Sequence, residues 1–458
     1  MILRNTRPLL SSAIALAIVL ILCACGKKAA VPSGPNIVLI TIDALRADHM
    51  SCYGYHRETS PFIDGIASES AVFTNAYSTS SWTAPSMASI FTGHYPRSHG
   101  VLHGVARGPK AAITGQELLV NDFLTIAEVL STAGYTTFGV SSNGHISRDT
   151  GFSQGFDYFA THWFMKSPAP NSSIREWREH IREASRYFLW IHYFDPHNPY
   201  APRMPWVKNY TLRSGSYSKW TREVMANPKE YIEDIRNAPQ ALHTLKDRYD
   251  SEINYCDQHI KELFELLPSD PNTLVIITAD HGEAFMEHGQ LLHGDTLFEE
   301  EVLVPLIIRL PANRSAARTI DRPVSNRDIF ATIMGITGLG ADRKIPGISL
   351  MPLISGSSEE TAEEVFLELD WQGWGKGIRS ENWKYIVSGR EEKELSLFDL
   401  QADPDERRNL FREMPGKARL LDSVLRQWID AHPEFKAPLI NVDIDPDRED
   451  RLRALGYL

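Results

Sequence analysis

"PNIVLITID", residues 35–43, is an unbroken apolar run, rich in β-branched residues, that starts at a proline and ends on an acid. Strict alternation would mark a strand with one wet face; an unbroken run marks a strand covered on both faces, as in a parallel sheet packed between helices. The same pattern returns in "RYFLWIHYFD" (186–195), "NTLVIITAD" (272–280) and "VPLIIRL" (304–310). Helical patterns lie between these runs, among them "NDFLTIAEVLSTAG" (121–134), which stops at Gly134, and "RYDSEINYCDQHIKELFELL" (248–267). Strand and helix in alternation predict an α/β, doubly wound fold. Such folds gather their functional groups outside the carboxyl ends of the strands, which is where Asp43, Asp195, Asp280 and His281 stand.

From about residue 356 the texture changes. "EEVFLELD", "GIRSENWKYIVS" and "ELSLFDL" read as short antiparallel strands, and "GKARLLDSVLRQWIDAH" as an amphipathic helix packed on them. The expected division is a catalytic domain over 36–355 and a smaller C-terminal subdomain over 356–458. A chain of 458 residues with 43% hydrophobic and 23% charged residues has the material for both. Its formal net charge of -11 argues against nucleic acid as a partner, because nothing in that balance neutralises a phosphate backbone.

Residues 1–26, "MILRNTRPLLSSAIALAIVLILCACG", place Arg4 and Arg7 before an apolar run and close in small residues, the layout of a secretory signal. The run from Leu9 to Leu22 is shorter than the roughly 20 residues of a spanning helix. "LCAC" resembles a bacterial lipobox. That resemblance implies a signal peptide over 1–25, lipidation at Cys25, a tether over 26–35 and an exported lipoprotein anchored to the membrane on its periplasmic or cell-surface side. A simple cleaved signal and an uncleaved anchor are the alternatives. Cys52 and Cys256 then remain, as one disulfide or as two lone thiols.

An aspartate at a strand end is most often a cap or a turn former. "TADHGE" (278–283) is harder to read that way: Asp280 and His281 are adjacent at a buried strand end, where charge needs a counter-ion and a divalent cation supplies one. Gly282 frees the backbone to turn there.

Taken together, these motifs resemble the sulfatase family of the alkaline phosphatase superfamily. The matching pieces are "PNIVLITIDALRADHMSCYGY", "TSPFIDGIASESAVFTNAYSTSSWTAPSMASIFTGHYPRSHGV", "GFSQGFDYF", "FLWIHYFDPHNPY", "TADHGEAFMEHG", "EEEVLVPLII", "GIRSENWKYI" and "LFDLQADPDERRNL", in the family's order from 35 to about 412. The resemblance implies a doubly wound mixed sheet sandwiched by helices and a metal-dependent hydrolase of sulfate or phosphate esters. Asp43 matches a metal-binding aspartate, although Ala44 stands where the family often has a second acid. Asp280 and His281 match a later pair, which in phosphate-handling relatives is also Asp-His.

The family's nucleophile motif, Cys or Ser followed by any residue, Pro, Ser and Arg, reads here Thr83, Ala84, Pro85, Ser86, Met87. Oxidation of a threonine would give a ketone in place of the formylglycine aldehyde, so that cofactor is not expected. A metal-bound threonine alkoxide is the implied nucleophile. By the same resemblance His197 and His293 are catalytic and substrate-binding, and Asn143 takes the place of a sulfate-contacting lysine. His145 could serve the histidine position of that motif or lie in solvent.

One metal is expected, held by Asp43, Thr83, Asp280 and His281; a second would have to recruit Asp195, His192, His197 or His293. Hard oxygens with one imidazole suit calcium, magnesium or manganese, and zinc is compatible. The implied substrate is an anionic ester of a glycan, lipid or small molecule. Phosphodiester or phosphonate hydrolysis, phosphoryl transfer, and an inactive lipoprotein that only binds anionic ligands are the rival readings.

Overall fold

The structure is a computed structural model that describes residues 34–103, 105–107, 113–201, 232–237, 239–311, 317–340, 344–357 and 364–440. Residues 1–33, with Cys25, the signal and most of the tether, lie outside them.

The apolar runs form the centre of a sheet that has nine strands among the described residues. Asn36–Ile42 lies between Tyr187–Tyr193 and Thr273–Ala279, parallel to both, and all three strands are buried along their whole length. Beyond Tyr187–Tyr193 come Thr136–Ser141 and then Tyr158–Thr161, again parallel. On the other side Leu303–Arg309 runs antiparallel to both of its neighbours, Thr273–Ala279 and Ala71–Tyr77, which makes the sheet mixed. Arg318–Ile320 and Val324–Ser325 close that edge, parallel to Ala71–Tyr77.

Two groups of helices flank the sheet. Pro61–Ala67 and Pro168–Glu183 pack on the long helix Pro239–Leu266; Ile126–Thr132 and Asp328–Thr337 pack on Thr83–Thr92. Helix Ile126–Thr132 is shorter than its apolar pattern predicts because Thr125 caps it: the threonine side chain takes the Glu128 N–H while the Glu128 carboxylate takes the Thr125 N–H. The long helix starts at Pro239, nine residues before the predicted start at 248, a proline being well suited to a first turn.

The C-terminal strands Glu364–Asp370, Trp374–Ser380, Trp383–Ser388 and Glu394–Asp399 form one antiparallel sheet in that order. Helix Pro415–Ala431 lays Leu421, Leu425 and Trp428 on Phe366, Ile378, Tyr385 and Leu397. The rings of Phe366 and Trp428 stack 4.5 Å apart.

This small sheet is tied to the large one at the end where the site lies. The Glu368 N–H donates to the Thr79 carbonyl at 2.9 Å, and the turn at Gly373 donates its N–H to the Gly294 carbonyl at 2.9 Å. Buried Lys384 reaches Glu299 at 2.8 Å and Glu406 at 3.0 Å. Cys52 and Cys256 are both free thiols.

Candidate active site

The parallel register brings three strand ends to one place. Thr41 is level with His192 on one side and Thr278 on the other, so the residues that leave these strands, Asp43 and Asp280, emerge side by side. Ala44 holds φ at 55°, a left-handed conformation uncommon for a residue with a Cβ, and in it donates its N–H to Asp280 Oδ1 at 3.1 Å. The His281 N–H donates to the same oxygen at 2.9 Å. Gly282 is needed for a different reason from the sharp turn expected: its φ is not positive, but a Cβ there would lie 2.1 Å from the Glu300 carbonyl oxygen, where segment 300–301 crosses it.

Thr83 opens helix Thr83–Thr92, so its hydroxyl sits at the positive end of the helix dipole. Pro85 fits the first turn, where a missing N–H leaves no gap in the helix ladder, and Gly93 ends the helix at φ 72°. All ten helix residues are buried. Ser86 fixes the helix to the opposite side of the site: its hydroxyl donates to the Asp280 carbonyl at 2.6 Å and accepts from Asn326 at 2.9 Å.

Four of the predicted residues converge. His281 Nδ1 faces the Gly282 carbonyl at 2.8 Å, which can only accept, so Nδ1 carries the proton and Nε2 presents a lone pair. Around that Nε2 lie Thr83 Oγ1 at 3.3 Å, Asp43 Oδ1 at 3.5 Å and Asp280 Oδ2 at 3.5 Å. Both of those carboxylate oxygens are buried and accept no hydrogen bond. Burial and the neighbouring Asp43 carboxylate push Asp280 up, while the imidazoles of His197, His192 and His281 outweigh burial and hold Asp43 well below the usual carboxylate range. Two buried carboxylates, each with an orphan oxygen aimed at one lone pair and one hydroxyl, form a donor set that fits a divalent cation.

The other oxygen of Asp43 is occupied. Its Oδ2 accepts from Asn143 Nδ2 at 2.7 Å and lies 3.3 Å from His192 Nε2. Behind the ring, Thr41 Oγ1 meets His192 Nδ1 at 2.8 Å and accepts from Trp190 Nε1 at 3.0 Å. A donor chain running Trp190, Thr41, His192, Asp43 satisfies every proton in it, and it orients Asp43 so that Oδ1 faces the convergence point. Asp43, His192 and Asp280 have potential ligand atoms within 4.8 Å of one another. The pairing of His192 with Asp43 went unread in the sequence; its signal was position, one strand over and level with Thr41.

Asn143 also donates to Thr83 Oγ1, at 3.3 Å, and its own oxygen accepts the His145 N–H at 2.9 Å. His145 is 1% exposed, so solvent is not its place. Burial pushes it down to about 4 against the pull of Asp43. His197 is likewise pushed down to about 4 by burial, with Asp43 opposing; its Nδ1 faces the Asn198 carbonyl at 2.6 Å. The His293 ring packs 4.2 Å from His281 and 4.8 Å from His197.

Two carboxylates that the sequence reading left without a role hold His293 in place. Glu283 lies 3.0 Å from its Nδ1. Glu301 takes the N–H of Gly294 at 2.8 Å and the Thr296 hydroxyl at 2.5 Å, pinning the loop that follows. Asp195 sits apart from the convergence point, accepting from Ser167 and pairing with Lys166 at 2.7 Å, which also bonds Glu252 at 2.8 Å.

Against known proteins, the profile of the sulfatase family matches residues 35–339, two thirds of the chain. The chain belongs to the sulfatase family. A second profile, for the C-terminal region of N-sulphoglucosamine sulphohydrolase, matches residues 287–430. A curated Δ4,5-hexuronate-2-O-sulfatase of Bacteroides thetaiotaomicron is 22% identical, over 95% of this chain and 96% of that protein. Among solved structures, BT4656 in complex with its substrate D-glucosamine-2-N,6-O-disulfate has a TM-score of 0.69 at 20% identity, covering 87% of this chain and 98% of that one. The phosphonate monoester hydrolase of Agrobacterium radiobacter has a TM-score of 0.67 at 18% identity, covering 87% and 96%.

Membership places the chain among the sulfuric ester hydrolases. Where the family's nucleophile motif ends in arginine, Met87 is 0% exposed and packs in the apolar core.

Proposed function

We propose that this sulfatase-family protein hydrolyses sulfate or phosphate esters of an anionic glycan, with Thr83 as the nucleophile and one divalent ion held by Asp43, Thr83, Asp280 and His281. The observation that carries it is the pair of buried, unpartnered oxygens, Asp43 Oδ1 and Asp280 Oδ2, facing the same His281 Nε2 as the Thr83 hydroxyl. Calcium, magnesium, manganese or zinc, when bound, would favour the ionised Thr83 oxygen and neutralise charge on the transferred group.

Asn143 holds Thr83 and Asp43 in register and so keeps the nucleophile aimed. The Thr83 oxygen attacks sulfur or phosphorus as the ester oxygen leaves on the far side. His293, with Glu283 stabilising its imidazolium through Nδ1, protonates that leaving oxygen from Nε2. His197 meets the anion: its burial opposes a charge, and an arriving sulfate or phosphate favours one. Water then attacks the Thr83 ester, releasing inorganic sulfate or phosphate and returning the hydroxyl.

The glycan comes from what the relatives' names record: a hexuronate sulfatase and a complex with a sulfated glucosamine. The phosphonate monoester hydrolase likeness and the threonine itself favour phosphorus as the second reading. Turnover of 4-nitrophenyl sulfate, 4-nitrophenyl phosphate, phenyl phosphonate monoester and bis-4-nitrophenyl phosphate separates sulfur from phosphorus and monoester from diester. Thr83→Ala should lower kcat on the accepted substrate by about 10⁴-fold, and an undiminished rate removes Thr83 as nucleophile. Turnover of none of the four supports a binding protein. From sequence alone, Cys25 is proposed as the lipidated first residue of an exported, membrane-anchored form; mass spectrometry showing an unmodified mature N-terminus elsewhere overturns that.

A further inference from the structure

The chain leaves strand Asn36–Ile42 through the turn Asp43, Ala44, Leu45, Arg46, and one phenol bonds that turn at two points. Tyr249, on helix Pro239–Leu266, donates its hydroxyl to the Ala44 carbonyl at 2.7 Å, and the same oxygen accepts the Arg46 N–H at 2.8 Å. A backbone carbonyl can only accept and an N–H can only donate, so a hydroxyl, which does both, closes the turn by itself. Tyr249 and Ala44 are both 0% exposed, so water does not take its place.

Ala44 makes the closure necessary. At φ 55° its Cβ crowds the following carbonyl, a conformation that persists where surrounding bonds over-determine it. In it the Ala44 N–H donates to Asp280 Oδ1, which leaves Asp280 Oδ2 as the oxygen facing the His281 lone pair. Before the turn, the Asp43 N–H is fixed on the Tyr193 carbonyl at 2.9 Å. After it, the Arg46 side chain donates to the Glu283 carbonyl at 2.9 Å. Tyr249 itself is held by Phe285 and His49, whose rings lie 5.0 and 5.1 Å away. Its neighbour Asp250, also 0% exposed, accepts from Tyr55 at 2.8 Å and from Arg57 at 2.7 Å, which clamps the helix to the segment that follows the turn.

We propose that Tyr249 is a positioning residue for the cation site: its hydroxyl holds the turn from Asp43 to Arg46 in the conformation that aims Asp43 and Asp280 at a shared ion. This rests on the reading that these two carboxylates bind a divalent cation. Two carboxylates brought together before the ion arrives repel each other. A turn bonded in place keeps them there, so less of the binding energy of the ion goes into ordering its own ligands.

Isothermal titration of the metal-free full chain with calcium, magnesium, manganese and zinc in turn tests this on Tyr249→Phe, which removes only the phenol oxygen. Tyr135→Phe is the control: the Tyr135 hydroxyl donates to the Pro35 carbonyl at 3.0 Å, a bond of the same kind at the opposite end of the same strand. Wild type should bind one ion, Tyr249→Phe should weaken that binding about tenfold or more, and Tyr135→Phe should leave it unchanged. Adding Ala44→Gly to Tyr249→Phe should recover most of the loss, since glycine takes a positive φ unaided. Wild-type affinity in Tyr249→Phe, or equal losses in the two phenylalanine variants, overturns the positioning role and leaves the ion standing. A double variant that recovers nothing shows that the phenol does not act through the turn and overturns it as well. A wild type that binds no ion removes the cation reading and the positioning role with it. If Tyr249→Phe does not fold, the double variant decides: affinity near that of wild type supports the role, and a tenfold loss overturns it.

Discussion

His293 carries the most specific chemical assignment at the scale of single residues. Its Nδ1 is 3.0 Å from the Glu283 carboxylate, and that pairing stabilises a protonated ring able to give up the Nε2 proton. A leaving group that is already stable as an anion has little need of that proton. His293→Ala should therefore cost about 10²–10⁴-fold in kcat on an alkyl or sugar ester and far less on a 4-nitrophenyl ester of the same acid. Rate constants on the paired substrates check this, and equal losses on both would move His293 from proton donor to anion contact.

Of the residues that converge, Asp43 and Asp280–His281 were legible at the ends of apolar runs, whereas Thr83 was legible only through the resemblance of residues 83–87 to the family's nucleophile motif. Their partners were not. Glu283 stands beside Gly282, but its bond to a histidine ten positions on comes from the short antiparallel pairing of Ala284–Phe285 with Leu291–Leu292, two-residue strands too short to leave an alternating pattern. His192 reaches Asp43 only through the register of two strands.

At the scale of elements, one short bond holds the nucleophile helix to the strand that carries Asp280. Ser86 donates to the Asp280 carbonyl at 2.6 Å, and both atoms are buried. Ser86→Ala should destabilise the protein by about 1–3 kcal/mol, because it strands a buried carbonyl. The same change should lower activity by letting Thr83 drift from the convergence point. Urea unfolding with a kinetic assay on the same sample checks both effects, and unchanged stability with unchanged rates would show that the helix is held by its apolar packing alone. The central strands were legible to within about a residue or two, since burial on both faces leaves an unmistakable run. The long helix was predicted short because its first turns, "PQALHTLKD", are too polar to show a stripe, although Pro239 marks their start.

Over the whole molecule, the small sheet is bound to the large domain partly by charge. His103 lies between Asp370 and Glu117, at 3.2 and 2.8 Å, and bonds to Asp370 and to Glu117 push it up to about 9 against burial. A histidine whose folded pKa exceeds its unfolded value stabilises the fold fully below about 6.5 and loses that contribution as pH rises through about 9. The melting temperature of wild type should fall between those two pH values, and a His103→Gln variant should show a flatter profile. Parallel profiles would mean that the pair is too well solvated to matter, as exposed ion pairs often are. The docking of the two parts was not readable from sequence, because it depends on contacts between segments far apart in the chain, such as Lys384 with Glu299.

The central claim is that Asp43, Thr83, Asp280 and His281 share one divalent ion, and elemental analysis of the purified, dialysed protein tests it most directly. The account predicts about one equivalent of a single divalent metal per chain, lost in Asp43→Ala and in Asp280→Ala while both variants remain folded by circular dichroism. One equivalent retained by both variants, or none in wild type supplied with calcium, magnesium, manganese and zinc, would contradict it.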